Sequence, residues 1–352
     1  MEFTPPFCPN TDCPQHLQPA AGFFTRHGFY TADCRPAPIP RFRCRRCLRT
    51  FSTQTFRQDY RDRRPDLNES LFISLVSSTG YRQFARTRDV APGALQLKAR
   101  KLARQAGFLH ANLSQRLPTG RTFVLDEEET YEQASIRTVT MPVVVEREHW
   151  FVVATAVGSI RRLAQAGTSR RHWQQRDERK HGKRPDHSAQ CVEAVLRSLD
   201  RRLGGDRLVL RSDLKSSYVT IANSVFGDRV THERTSSREP RTTYNPLFVV
   251  NTTLAMTRDN CGRLRRKSWL VTKKKECLLL QMHQFVVYRN YIRKRFNRDK
   301  ENKSPAVHLQ LLPRSLTIAE AIRWRQDWGQ GSIHPLCATG SRRIGDGVMA
   351  VA

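Results

Sequence analysis

The stretch "RTFVLDEEETYEQ", residues 121–133, decides how the chain is read: the apolar run Phe123–Val124–Leu125 leads straight into four consecutive acids, Asp126 to Glu129. The apolar half reads as a buried β-strand whose last residue is Asp126. A carboxylate at the end of a buried strand is costly unless something positive sits against it. The run is unexpected in this chain, whose 352 residues include 61 Lys and Arg against 32 Asp and Glu, a formal net charge of +29. Downstream, "TVTMPVVVE" (138–146) and "HWFVVATAVG" (149–158) are two β-rich runs joined by a short polar link, hence a hairpin. The basic segment "RRHWQQRDERKHGKRPDHS" (170–188) reads as an exposed insertion or loop. "QCVEAVLRSLDRRLGG" (190–205) is an amphipathic helix closed by Gly204. "DRLVLRSDLKSSY" (206–218) is then a fourth strand, ending on a second acid, Asp213. Strand, helix and strand at this spacing favour a parallel pairing.

Three consecutive strands with an Asp on the first begin an RNase H-like sheet. The fold class expected is therefore α/β, with a mixed sheet as its core. Two acidic strand ends side by side repel each other unless a divalent cation lies between them. Asp126 and Asp213 are thus candidate ligands of Mg²⁺ (or Mn²⁺), hard cations that prefer oxygen. Paired ions of this kind activate a water or a 3′-hydroxyl and stabilise the leaving oxygen in phosphodiester displacement. Glu127, Glu128 and Glu129 are expected to be local modulators or solvated residues.

Four of the nine cysteines have metal-ligand spacing. Cys8 and Cys13 lie in "CPNTDC", Cys44 and Cys47 in "RFRCRRCLRTFS". Two short Cys loops separated by strand- and turn-rich chain form the zinc-ribbon layout, each loop giving two thiolates to a tetrahedral Zn²⁺. Cys34 falls between the pairs and could replace one ligand. Residues 1–55 hold too few aliphatic side chains to fold without such a staple.

Residues 65–108 change character. Leu71, Leu75 and Val76 define one amphipathic helix, "YRQFARTRDV" a second, and "LQLKARKLARQ" a third with Leu95, Ala99 and Leu102 on one face. Lys98, Arg100, Lys101 and Arg104 are left on the outer face. Short helix, Pro/Gly turn and basic helix is the helix-turn-helix pattern, which places a helix in the major groove. With basic residues recurring from end to end, the partner class expected is a polyanion, most simply double-stranded DNA.

The opening "MEFTPPFCPNTDC" does not read as a signal peptide, and runs such as "WFVVATAVG" are shorter than the ~20 residues a spanning helix needs. A soluble intracellular protein without a membrane partner is expected. No Gly-rich phosphate loop is present, so no nucleotide cofactor is indicated.

Taken in order, the paired cysteines, the helical module, "LDEEETYE", "RSDLKSSY" and "NPLFVVNTTLAMTRDNCGRLRRKSWLVTKKKECL" resemble bacterial insertion-sequence transposases of the RNase H-like DDE superfamily, in the branch with an N-terminal zinc ribbon. The resemblance spans residues 8 to about 336. It implies a zinc ribbon (1–58), a helix-turn-helix domain (59–115), an RNase H-like catalytic domain (116–298) with a basic insertion near 160–188, and a C-terminal tail (299–352). It implies three metal ligands, the first two falling on Asp126 and Asp213. The third falls on Asn251, on a helix after a fifth strand at 228–236, with Glu239 and Asp259 as alternatives. It further implies DNA contacts from Arg258, Arg263, Arg265, Arg266 and Lys267 along that helix and from Lys273 to Lys275. The activity implied is metal-dependent DNA cleavage at transposon ends and strand transfer into target DNA, by copies of the chain assembled on DNA in the bacterial cytoplasm. Two other readings stand beside it: a sequence-specific DNA-binding regulator derived from a lapsed transposase, and a structure-selective nuclease. "LLLQMHQFVVYRNYIRKRFN" (278–297) is a packing helix, and "WRQDWG" (324–329) a docking motif of the tail.

Overall fold

The computed structural model describes residues 3–324 apart from 6, 11, 34, 57, 58, 60, 61, 237, 241 and 267, together with 349 and 350. Cys34 and Lys267, and all of the tail motif except Trp324, lie outside the described residues. At the N-terminus a one-turn helix α1 (Pro14–Leu17) precedes an antiparallel sheet of β1 (Phe24–Tyr30), β2 (Ile39–Cys44) and β3 (Thr50–Ser52), in that order. The core of this small sheet is aromatic. Phe23, Phe42, Phe51 and Phe56 are buried together with Cys8, Cys13 and Cys44. Phe51 meets Phe42 and Phe56 at centroid distances of 5.9 Å, within the range at which rings attract beyond their area burial.

Three helices follow: α2 (Asn68–Leu75), α3 (Tyr81–Arg88) and α4 (Pro92–Leu113). α4 opens on Pro92, whose missing N–H costs nothing in the first turn. Its apolar face, with Leu95, Ala99, Leu102, Ala106 and Leu109, is buried as the sequence pattern requires. This face does not close a free-standing bundle. Leu71, Leu102 and Leu109 share one hydrophobic core with Phe123, Leu125 and Val195 of the following α/β unit.

Lys98 corrects the expectation of a wholly solvent-facing basic stripe. It is 9% exposed, and its ammonium donates to both carboxylate oxygens of Asp62 at 2.6 Å, to the Arg64 carbonyl at 2.8 Å and to the Asn68 side chain at 3.1 Å. Lys98 shares the inner flank of α4 with Leu95 and Leu102, three and four residues away, where its stem packs and only an anion can satisfy its head. Arg100 and Lys101 are half-exposed, and Arg104 is exposed.

The α/β unit runs β4 (Thr122–Tyr131), β5 (Thr138–Glu146), β6 (Val152–Ser159), α5 (Ser169–His181), α6 (Ser188–Leu203), β7 (Leu208–Ser212), α7 (Ser216–Phe226), β8 (Val230–Arg234), α8 (Phe248–Asn260) and α9 (Lys275–Val287). Two short helices, α10 (Pro305–His308) and α11 (Ile318–Ile322), and the two-residue strand β9 (Met349–Ala350) complete it. The mixed sheet has the order β8-β7-β4-β5-β6, with β9 on the β6 edge. β4 is antiparallel to β5 and parallel to β7, and β7 is parallel to β8. Because strand side chains alternate, β4 feeds two cores. Phe123 and Leu125 pack with α6 and α7, while Val124 joins Val250, Leu254 and Met282 of α8 and α9.

The acidic run does not end the strand, as the sequence reading expected. β4 pairs with β5 without interruption as far as Tyr131↔Thr138. It is the ladder to β7 that stops, at Val124↔Arg211. Part of the basic segment expected as an exposed insertion or loop is helical, as α5. Thr168 caps its first turn, accepting from the Arg171 N–H at 3.3 Å. Lacking an apolar stripe, α5 is held by ion pairs of Asp177 with Arg137 (2.6 Å) and of Glu178 with Arg161 (2.8 Å). A helix that is polar all round leaves no 3.6-residue apolar period to read.

Lys98→Ala should lower stability by on the order of 3 kcal/mol, because it leaves the Asp62 carboxylate in a largely buried site without its cation. Denaturant unfolding measures this; a change below about 0.5 kcal/mol would place Lys98 among ordinary surface residues.

Candidate functional site

Along β4, side chains 126 and 128 point to the α8 side of the sheet and 127 and 129 to the other, since the strand alternates. The three glutamates each have a cation. Glu127 is buried under α6 and α7, forming an ion pair with Lys215 and accepting hydrogen bonds from Thr140 (2.7 Å), Tyr218 (2.8 Å) and Ser188 (3.0 Å). These donors hold its carboxyl below the usual range even though burial pushes the other way. Glu128, 3% exposed, pairs with Arg258 and, at 3.1 Å, with Arg266. Burial nevertheless raises its pKa. Glu129 accepts from Arg162 at 2.9 Å.

Asp126 and Asp213 differ from these glutamates. Continuing the register Thr122↔Val209, Phe123↔Leu210 and Val124↔Arg211 by two residues sets Asp126 level with Asp213, which stands one residue past the end of β7. Asp126 accepts only the neighbouring Glu127 N–H, at 2.7 Å, and Asp213 the Lys215 N–H, at 3.0 Å. No cation pairs with either among the described residues. Burial pushes the Asp126 carboxyl up to about 6, and the charges of Asp213, Glu127 and Glu128 add to the rise. Two half-buried acids facing one another without a counter-charge, in a row where every other acid has one, are a fit for a divalent cation bound through oxygen.

Asn251 stands on α8, half-buried, and its side-chain amide has no hydrogen-bonding partner among the described residues. It precedes Arg258 by seven residues and therefore shares its flank of the helix. Arg258 reaches Glu128 on the β4 face that also carries Asp126. Asp259 is exposed farther round the helix, and Glu239 lies in the exposed turn before it. α8 stops at Asn260, whose side chain bonds back to the Met256 carbonyl at 2.8 Å. The basic residues after it therefore do not run along that helix, contrary to the sequence reading. Arg263 sits in a 3₁₀ turn with its guanidinium 5.5 Å from the centre of the Tyr81 ring, and Arg266 turns back on Glu128. Arg258 and Arg266 thus neutralise the strand beside the paired aspartates.

At the N-terminal module, Cys8, Cys13, Cys44 and Cys47 bring their sulfurs within 4.8 Å of one another. Cys8 lies 3.6 Å from Cys47 and Cys13 lies 3.9 Å from Cys44. A tetrahedron with Zn–S bonds of ~2.3 Å has edges of ~3.8 Å, so the four thiols could bind a metal such as zinc. Backbone bonds preform the loops: the Cys44 N–H donates to the Arg49 carbonyl at 3.1 Å, and Leu48 takes a left-handed φ of 60° to close the second one. Cys47 is pulled down to about 7; burial opposes the change, and the Arg49 N–H and the neighbouring thiols outweigh it.

Sequence reasoning missed Lys215 and Tyr218, which reach Glu127 from the β7–α7 turn and from α7. Lys215 stands two residues after Asp213 in "SDLKSSY", the one local signal; Tyr218 had none. Compared with protein-family models and with curated proteins, the chain matches none of either. Among the described residues, no helix is long and apolar enough to cross a membrane.

Two outcomes follow from these geometries. Protein purified under reducing conditions should carry about one Zn²⁺ per chain, and Cys44→Ser should release it and unfold the aromatic module. Metal analysis of the freshly reduced protein checks this, and absence of zinc would contradict it. For Asp126, a carboxyl raised in the folded state is tolerated best below its ordinary pKa of about 4, and stability is lost as pH rises through about 6. Asp126→Asn should therefore raise Tm at pH 8, without added divalent cation, by roughly 2–4 °C or more, with a smaller gain at pH 5. Equal gains at both pH values would show that the Asp126 charge is not the cause.

Proposed function

We propose that the chain is a transposase: an enzyme that cuts DNA at the ends of a mobile element and joins the freed 3′ ends to target DNA. The carrying observation is the pair Asp126, on β4, and Asp213, one residue past the end of the parallel strand β7, level by the extended register and without a cation beside a row of otherwise neutralised acids. Asp126, Asp213 and the side-chain oxygen of Asn251 are the residues that would hold Mg²⁺ or Mn²⁺. When bound, such ions supply an activated hydroxyl nucleophile and stabilise the leaving oxygen in phosphodiester exchange.

The strand order supports an RNase H-like core: the first strand, β4, lies centrally, with the antiparallel hairpin on one side and two parallel strands on the other. The chain's own residues have separable tasks in this reading. Lys215 holds the turn after Asp213, its ammonium on Glu127 and its N–H on Asp213. Arg258 and Arg266 keep Glu128 neutralised, so the candidate site keeps only the two aspartates to repel a phosphate or attract a cation. The outer residues Arg100, Lys101 and Arg104 are the proposed contacts of α4 to duplex DNA, and Cys8, Cys13, Cys44 and Cys47 the proposed zinc ligands. DNA binding through phosphates should weaken steeply with salt.

A second reading keeps DNA binding without catalysis. It is favoured by Asn251, whose neutral amide brings no charge to a third position and lowers affinity for a hard cation.

The experiment is to mix purified protein with the DNA that flanks its coding sequence, with and without Mg²⁺. Cleavage and joining should require the cation. Asp213→Asn should lower the rate on the order of 10³-fold or more while leaving DNA binding intact. Binding without metal-dependent cleavage by the unaltered chain would favour the regulator.

A further inference from the structure

Trp269 is 93% exposed, on the loop that joins α8 to α9. The loop is not a slack one. On one side Arg266 is tied to the Glu128 carboxylate at 3.1 Å and to the Glu129 carbonyl. On the other, Leu270 packs so closely on Gly80 that a Cβ there would lie 2.6 Å from its side chain, and Thr272, fully buried, donates through Oγ1 to the Arg263 carbonyl at 3.0 Å. A turn closes between them, with the Val271 N–H on the Ser268 carbonyl at 3.1 Å. Pinned backbone on both sides holds the indole out in water.

Arg265, Lys273 and Lys274 stand within five residues of Trp269 on the same loop, all exposed, and no carboxylate pairs with any of them among the described residues. A large aromatic face on a loop whose exposed cations have no carboxylate partner is the composition that stacks on bases and holds the adjoining phosphates. Cationic surroundings of this kind select against an acid-poor or basic protein partner, a second copy of this +29 chain included. The position adds a consequence. The tie from Arg266 runs to Glu128, on the same strand face as Asp126 and two residues beyond it. The Gln133 side chain, at the end of β4, donates to the Lys273 carbonyl at 3.2 Å. The loop is therefore fastened along the end of β4, from two to seven residues beyond Asp126.

We infer that Trp269 and the basic residues of its loop form a binding site for an unpaired DNA base and its flanking phosphates, so that the chain engages frayed or single-stranded DNA beside the carboxylates. Only the closeness to a cutting point rests on the transposase reading; the base site itself does not. The indole would take the place of the base's stacking neighbour in the duplex. Its pinned loop means that little ordering is required on binding.

The test uses the intact protein in Mg²⁺-free buffer, measuring fluorescence anisotropy with a duplex carrying a single-stranded tail and with the same duplex made blunt. Trp269→Ala should weaken binding of the tailed duplex roughly tenfold or more and that of the blunt duplex by no more than about twofold. Trp269→Phe should recover most of the loss, because a smaller ring still stacks. Since the side chain is exposed, circular dichroism should show both variants folded. Equal affinity of Trp269→Ala and the unaltered chain for the tailed duplex would overturn the inference. So would equal losses on both duplexes, which mark a plain phosphate contact, or a shift in sedimentation with unchanged tail affinity, which marks an interface between copies. Cleavage plays no part in these readings, so an inactive Asp126 or Asp213 leaves the base site standing, and a negative result here leaves the carboxylate pair standing.

Discussion

Charge balance across the central strand is the constraint on which the rest of the molecule depends. β4 carries four acids in succession through the middle of a sheet covered on both faces. Alternation sends half of them into each layer, and each layer must answer with cations. Lys215 comes from the β7–α7 turn for Glu127, Arg258 and Arg266 from α8 and the loop after it for Glu128, and Arg162 from the segment after β6 for Glu129. Elements distant in sequence are thereby tied to a single strand. Asp126 is left without such an answer, and it faces Asp213.

The same economy explains the parts of the molecule that lack a conventional core. The N-terminal module packs phenylalanines around four thiols, and α5 is fastened by ion pairs and by the hydrogen bonds of the buried Gln174 rather than by an apolar face. Lys98 exchanges solvent for Asp62 at the inner edge of α4. In a chain with nearly twice as many basic as acidic residues, most buried or half-buried acids have a guanidinium or ammonium within reach. What remains unpaired therefore carries information. Along β4 it is Asp126, facing Asp213.

The three-helix segment is joined to the sheet more closely than a string of modules suggests. Leu71 and Leu109 share a core with Phe123 and Leu125, Ser78 donates its N–H to the Asn260 carbonyl at 3.0 Å, and Arg263 leans on Tyr81. α4 is therefore packed onto the same core as the strand that carries Asp126 rather than tethered to it.

Much of this was legible in the linear chain, because local patterns have local causes. Cys8, Cys13, Cys44 and Cys47 announced their cluster by spacing, since short loops can only bring two thiols to one side. The strand 138–146, a second strand read as 149–158 and formed at Val152–Ser159, the helix closed by Gly204 and the strand before Asp213 followed from alternation, 3.6-residue periodicity and turn chemistry. Other features depended on partners far along the chain. The sequence alone placed a strand end at Asp126, because an acid run looks like an exit to water; the tertiary structure continues the strand to Tyr131 by supplying each glutamate with a cation. It hid α5, which has no apolar period, and it ran a helix through Arg263 and Arg266, where Asn260 in fact closes it. Lys98 read as surface because charge normally seeks water, and only the arrival of Asp62 makes its burial tolerable. Local propensity and pattern determined which elements form; long-range electrostatic pairing, which no window of sequence contains, decided where they end and which charges remain free.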